Sequence, residues 1–297
     1  YKLALASITC DGNLSYSSIP LANSADFSSD GTYKVCVKLD DAAGNSSVYG
    51  QSNQIVLKTT LPTFTSVSLA NGAADGYVNA ADKAANTALV TAATSQNADT
   101  TEYKLVSSTT SCGTVNTYGS LPTSNSGDYS GDGSYKICVK LSDDAGNTPG
   151  YGNSSNFTLK TAQPTFNFLA VAGDATDGYI NAVDKTRTNP LAGSLSATNH
   201  DLAEYKLATS TATCSQLTGY GTIPLGTSTD FGNDGSYKVC VKLTDNANNP
   251  AAYGASGTFN LKTSQPSFLS LSLSGEASDG YINSTDRLLT GDLAGSI

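Results

Sequence analysis

Asp30-Gly31-Thr32-Tyr33-Lys34-Val35-Cys36-Val37-Lys38-Leu39 returns as Asp132-Gly133-Ser134-Tyr135-Lys136-Ile137-Cys138-Val139-Lys140-Leu141, and again as Asp234 to Leu243. Tyr33, Val35, Val37 and Leu39 alternate with Lys34, Cys36 and Lys38. That is the period-two pattern of an antiparallel strand with one face on a core and the other toward water. The same spacing of 102 residues carries Tyr1-Lys2-Leu3 to positions 103 and 205, and Asp75-Gly76-Tyr77-Val78-Asn79 to positions 177 and 279. A fixed period of this kind marks a repeat array.

The charges keep the same register. Of 16 basic residues, 15 fall on the positions of Lys2, Lys34, Lys38, Lys58 and Lys83, the last copy carrying Arg287. Five Asp positions, those of Asp26, Asp30, Asp41, Asp75 and Asp82, also recur three times. Near-identical copies lack the differentiation of a single catalytic centre, so the chain reads as non-enzymatic. No phosphate-binding loop, nucleophile elbow or dinucleotide fingerprint appears. The lone His200 occurs in one copy only. A net charge of -9 argues against nucleic acid or an acidic membrane surface as partner. No apolar run approaches the length of a membrane span.

With the Pro62-Thr63-Phe64 segment as linker, four pieces are expected. Residues 1–61 form the C-terminal part of an immunoglobulin-like repeat (strands C to G). Residues 62–163 and 164–265 are complete repeats, and 266–297 the N-terminal part (strands A and B) of a further one. An arbitrary cut from a longer array is favoured over a permuted unit whose ends complete one domain between molecules. Charged residues make up only 14% of the chain and 28 residues are Gly, so its polarity comes from Ser, Thr and Asn of the turns. About seven short strands per ~100 residues, with turns every 8–12, predict an all-β fold of tandem immunoglobulin-like β-sandwich domains arranged head to tail. In the 62–163 repeat the expected strands are A at 64–70, B near 88–93, C at 102–107, F at 134–142 and G at 156–161. Weaker D and E strands are placed in 115–130, and Tyr33, Tyr135 and Tyr237 stand where a tyrosine corner would open strand F.

The Asp-x-Ala-Gly-Asn turn after Tyr-Lys-Val-Cys-Val-Lys-Leu, and the Asp-Gly-Tyr-Ile-Asn-Ala-x-Asp segment, resemble the bacterial Ig-like repeats of giant surface adhesins. That resemblance implies an extended extracellular stalk, often stiffened by calcium at domain junctions. Paired cysteines depart from the commonest pattern in such adhesins.

Each repeat holds two cysteines: Cys10 with Cys36, Cys112 with Cys138, and Cys214 with Cys240. Pairing within the repeat is the simplest of the 15 connectivities open to six cysteines. A zinc site is the rival, but it needs three or four clustered N/S ligands. With Tyr33 on the core face, Cys36 points outward with Lys34 and Lys38, so the bridge is expected on the outer face of the sheet, tying the segment after strand C to strand F. Disulfides imply an oxidising, extracytoplasmic compartment.

Strand direction assigns the acidic loops to poles. Asp75 and Asp82, with Asp128 and Asp132, lie at the C-terminal pole of a repeat. Asp143 and Asp144, with Asp99 and Glu102, lie at the N-terminal pole, so in a head-to-tail string Asp75 and Asp82 face Asp245, Asp201 and Glu204 of the next repeat. Converging carboxylates are what calcium requires. The A–B segment also resembles half of a dockerin-type calcium loop through Asp177, Gly178, Ile180, Asn181 and Asp184, repeated as Asp279 and Asp286 in the last copy. The competing reading makes these residues Asx-turns and caps.

Three roles follow: a stalk or spacer of a secreted bacterial protein, a glycan- or cell-binding module using Tyr-Gly pairs such as Tyr118-Gly119 and Tyr220-Gly221, or a filament whose partial end domains complement one another in strands. The expected partners are neighbouring repeats, copies of the same protein, or surface glycans, and calcium is the one candidate cofactor.

Overall fold

In the computed structural model, which describes residues 1–294, the recurrent motif is a long antiparallel strand at Gly31–Leu39, Gly133–Ser142 and Gly235–Thr244. Contacts divide the chain into two units: Tyr1–Gln163 with Asn246–Asn249, and Pro164–Asp245 with Pro250–Ile297.

In the first unit, Gly133–Ser142 pairs with Thr100–Ser107 on one side, and with Gly150–Asn153 and Phe157–Leu159 on the other. Tyr77–Val78 closes that five-stranded sheet by running parallel to Phe157–Leu159. A two-stranded sheet, Thr63–Ser66 with Thr94–Gln96, faces it. Tyr135, Ile137, Val139 and Leu141 meet Val78, Leu89, Val90 and Phe157 in one buried cluster, with Phe64 and Leu69 packed on its edge. The second unit repeats this plan. Leu202–Thr209, Gly235–Thr244, Ala252–Ala255, Phe259–Leu261 and Tyr179–Ile180 form the five-stranded sheet, and Thr165–Val171 pairs with Ala192–Thr198. The fold is all-β, two sheets closing on one core in each. Residues 1–61 form a four-stranded sheet of Lys2–Leu5, Gly31–Leu39, Val48–Gln51 and Ile55–Leu57.

The tyrosines opening the central strands are buried. The Tyr135 hydroxyl donates to the Gly131 carbonyl at 2.6 Å and accepts from the Ser130 amide at 3.1 Å. Tyr237 bonds Asn233 and Gly232 in the same way.

Several strand limits differ from expectation. Strand A ends at Ser66 and strand B occupies Thr94–Gln96; in the expected stretches 67–70 and 88–93 the pairing is reduced to the bridges Leu69↔Val90 and Ala88↔Thr123. Residues 115–130 contain no D or E strand, only the bridges Tyr103↔Gly119 and Ala88↔Thr123. Gly119, Ser120, Pro122 and Gly127 interrupt any alternation there, and proline removes a ladder donor. Strand G arrives in two pieces because Ser154 breaks it. Its amide donates to the Ile137 carbonyl at 2.9 Å, and its hydroxyl oxygen accepts from the Ile137 amide at 3.0 Å. One side chain thus stands in for a backbone acceptor, leaving no buried amide unpaired. Ser154, part of a glycosylation-like Asn-Ser-Ser triplet, is a buried structural residue.

The Ala-rich stretch forms a single short helix, Ala80–Ala85, with a complete capping box: Asn79 accepts from the amides of Ala81 and Asp82, and Asp82 accepts from the Asn79 amide.

Candidate functional site

The residues after each G strand are held rather than free. Asp30 accepts four hydrogen bonds from the linker: from the amides of Thr59 and Thr60 at 2.9 and 3.0 Å, and from both hydroxyls at 2.7 Å. Asp132 grips Thr161 and Ala162, and Asp234 grips Thr263 and Ser264. Each Asp opens the long central strand, so the sheet that ends at the linker also supplies the clamp. Hydrogen bonds to a carboxylate favour its ionised form. The Thr263 hydroxyl, with the Thr263 and Ser264 amides, lowers the Asp234 carboxyl to about 2, and Asp30 is held well below the ordinary carboxylate range by Thr59 and Thr60.

A depressed folded-state value contributes stability above the unfolded pKa of ~3.9, lost as pH falls through the folded value. The Thr263 amide resonance should therefore stay put to about pH 3 and titrate near pH 2. In Asp234→Asn that titration should vanish; a midpoint near 4 in the parent protein would show that the clamp is not formed.

Within the first unit the linker is also held from its far side. Lys58 pairs with Asp99, whose second partner is the Asp144 amide at 2.8 Å. Asn147 donates to the Lys58 carbonyl at 2.9 Å while its amide and side chain fix Asp143 at 3.0 and 2.7 Å. Asp99 raises the Lys58 pKa and is itself lowered by Lys58. Gly150 lies so close to the Pro62 carbonyl that any Cβ there would overlap it. Residues 58–62 are thus bonded to the sheet before them and to the F–G turn after them.

The carboxylates expected to bind calcium each make local hydrogen bonds or ion pairs. Asp75, Asp177 and Asp279 each accept from the amide two residues on, in Tyr77, Tyr179 and Tyr281, all at 2.9 Å. Asp82, Asp184 and Asp286 accept from the amides of Asn79, Asn181 and Asn283. Asn181 caps Val183 and Asp184, and Arg187 reaches Asp184 at 3.1 Å. Asp143 is wrapped by Asn147, and Asp245 is buried. Asp128 and Asp230 pair with Lys104 and Lys206 at 2.6 and 2.7 Å. Glu102 and Glu204 stand in strands and pair with Lys140 and Lys242. Among the described residues no three Asp, Glu, His or Cys side chains gather as metal ligands. These carboxylates serve turns, caps and lysine pairs within their own repeat.

All six cysteines are bonded: Cys10–Cys36, Cys112–Cys138 and Cys214–Cys240, each over 26 residues with Cα separations of 5.3–5.5 Å. Zinc ligation by these thiols is thereby ruled out. Cys138 stands on the face opposite Ile137 and Val139, yet it is fully buried. The outward face is covered by the segment carrying Cys112, and the Tyr118 hydroxyl pins that segment through the Cys112 carbonyl at 2.6 Å. Tyr220 does the same at Cys214. Tyr16 pairs with Tyr49, Tyr118 with Tyr151 and Tyr220 with Tyr253, with ring centroids 5.8, 6.2 and 6.1 Å apart. Tyr118 and Tyr220 thus pack within the disulfide lobe. No helix among the described residues is long and apolar enough to cross a membrane.

No protein-family model matches the chain, and no curated protein matches it. Among solved structures, it is similar to one concerned with host cell surface retention of a 1.5-MDa bacterial ice-binding adhesin, at 18% identity and a TM-score of 0.35, covering 80% of this chain and 76% of that one. A Ca2+-stabilized adhesin of an Antarctic bacterium is similar at 20% identity and a TM-score of 0.36, with 96% and 68% covered. A protocadherin gammaB7 EC3-6 structure is similar at 11% identity and a TM-score of 0.27, with 79% and 58% covered. At these scores the likenesses assign neither a family nor a role.

Proposed function

We propose that this chain is a spacer segment of an extracellular bacterial surface protein, a non-enzymatic stalk of repeated disulfide-bonded sandwiches. The observation that carries the reading is the linker clasp. A chain built to hold something at a distance needs junctions that resist bending, and residues 58–62 are bonded on both sides by Asp30, Asp99, Asn147 and the close approach of Gly150 to Pro62. The clasp takes its charge from Lys58, so stiffness here does not call for calcium. The three disulfides support an oxidising location. Repetition then converts into reach, at roughly 3.3 Å per strand residue.

The competing role is glycan recognition at the tyrosine pairs. Glu204, Tyr220, Lys242 and Tyr253 line an open cleft of about 360 Å³, but the Tyr220 hydroxyl and the Glu204–Lys242 pair already satisfy one another or the backbone. The spacer reading expects the 297-residue chain to show no saturable binding on glycan arrays. Saturable binding abolished by Tyr220→Ala would replace it with the recognition role.

A further inference from the structure

The chain carries 16 Tyr but no Met and no Trp, and all six cysteines are bonded in disulfides. Thiols and thioethers are the side chains that oxidants ordinarily consume first. With neither present, tyrosine is what remains for a one-electron oxidant to attack. Six of these tyrosines form three ring pairs at equivalent positions of successive repeats: Tyr16 with Tyr49, Tyr118 with Tyr151, and Tyr220 with Tyr253.

One member of each pair is fixed by its hydroxyl. Tyr16 donates to the Asp11 carbonyl at 3.0 Å, and Tyr118 and Tyr220 donate to the carbonyls of Cys112 and Cys214 at 2.6 Å. In the two complete repeats the other member faces solvent: Tyr151 is 41% exposed on Gly150–Asn153, and Tyr253 is 36% exposed on Ala252–Ala255. The paired rings are tilted by 38°, 44° and 57°, with centroid distances inside the contact range of aromatic side chains. The open cleft lined by Tyr220 and Tyr253 gives a small oxidant a way in. Tyr129 and Tyr135 make a useful contrast. Their centroids are closer, at 4.9 Å, but Tyr135 is buried and the Tyr129 hydroxyl is buried without a partner to take its proton. That pair does not recur either, since Phe27 and Phe231 replace Tyr129 in the other repeats.

We propose that these recurrent tyrosine pairs are sites of oxidative crosslinking, each joined into a dityrosine by a haem-peroxidase-type oxidant using hydrogen peroxide. Each phenol gives up one electron and one proton to become a phenoxyl radical. The two radicals form a carbon–carbon bond between the ring carbons beside their oxygens, and the hydrogens on those carbons move to the oxygens to restore two phenols. The peroxide takes up the two electrons and two protons and leaves as two waters. In the first complete repeat the new bond ties Tyr118 of the lobe to Gly150–Asn153, which pairs with the central strand Gly133–Ser142. It lies in the same lobe as the Cys112–Cys138 bridge and, unlike that bridge, survives reduction.

Treating the 297-residue chain with a haem peroxidase and hydrogen peroxide, then reducing and digesting it for mass spectrometry, tests this. The peptides of Tyr118 and Tyr151, and those of Tyr220 and Tyr253, are expected to be linked with loss of one hydrogen from each ring. The linked material should remain monomeric on a reducing gel. Tyr151→Phe keeps the ring and its packing, so it should lose the first link and retain the second, with unchanged melting verifying the fold. Dityrosine found only between molecules, links confined to Tyr129 and Tyr135, or no dityrosine at all would overturn the proposal. The spacer reading stands under each of these results, because the clasp at residues 58–62 contains none of these tyrosines.

Discussion

Replacing Cys112 and Cys138 together by alanine is expected to lower the stability of the surrounding sandwich by ~3.5 kcal/mol, the chain-entropy value for a loop closed over 26 residues. The bridge joins the lobe after Thr100–Ser107 to the central strand, and that lobe has almost no ladder of its own. Its ties include the Tyr103↔Gly119 and Ala88↔Thr123 bridges, the Tyr118 hydroxyl, the Lys104–Asp128 pair, the buried Ser124, and Leu121 and Tyr129 packed on the core. Without the covalent link these contacts alone hold the lobe against its chain entropy. Urea unfolding followed by tryptophan-free probes, or amide exchange at Ile137, should show the loss in the double variant. A change below about 1 kcal/mol would mean the lobe is held by its own contacts and the bridge is incidental. Alanine is the appropriate replacement because Cys138 is fully buried, and a serine hydroxyl there would add an unpaired polar group.

Gly152→Ala is expected to cost about 3 kcal/mol, the upper end of the usual overpacking penalty. A Cβ at 152 would fall inside the Phe64 ring, and one at 254 inside the Phe166 ring. The ring lies flat on the strand surface because glycine leaves it a place, and it cannot move inward against a core already filled by Val139 and Leu141. The double variant Gly152→Ala/Phe64→Ala should recover part of the loss in thermal unfolding, which separates the clash from a simple effect on strand propensity. Equal losses in the single and double variants would contradict the packing argument.

The central strands were legible because two faces of one strand carry different chemistry: Tyr33, Val35 and Val37 alternate with lysines, and no other element suits that pattern. The cysteine pairing followed from the period, since each copy has two. Their burial did not. Alternation tells which face Cys138 takes, but not that a lobe of 115–130 would lie across that face, because this lobe is built from turns with no periodicity. The preceding strand Gly150–Asn153 escaped for a related reason, while Phe157–Leu159 lies within the expected strand G. Ser154 reads as a loop residue, yet its hydroxyl continues the ladder at Ile137, a substitution of side chain for backbone that pattern reading does not register.

The acidic loops show the limit for the site. Asp75, Asp82, Asp143 and Asp177 have the residue types of a cation site, and sequence cannot show which neighbouring amides they bond. In the structure Asp75, Asp82 and Asp177 accept from such amides at 2.9–3.0 Å. The signal that could have been read lay with the lysine. Lys58 recurs as Lys160 and Lys262 immediately before each linker, and Asp30, Asp132 and Asp234 recur in step with the Thr at 59, 161 and 263. A basic residue at every junction is the sequence trace of a charge already supplied by the chain.

Spin labels at Ser15→Cys and Thr117→Cys, equivalent positions on either side of residues 58–62, test the clasp most directly, since all native cysteines are disulfide-bonded. Electron–electron distance measurement should give one narrow distribution, the same in calcium and in EDTA, that broadens at least twofold in Asp30→Ala/Lys58→Ala. A distribution that is broad in EDTA and sharpens when calcium is added would contradict a junction held by Asp30 and Lys58.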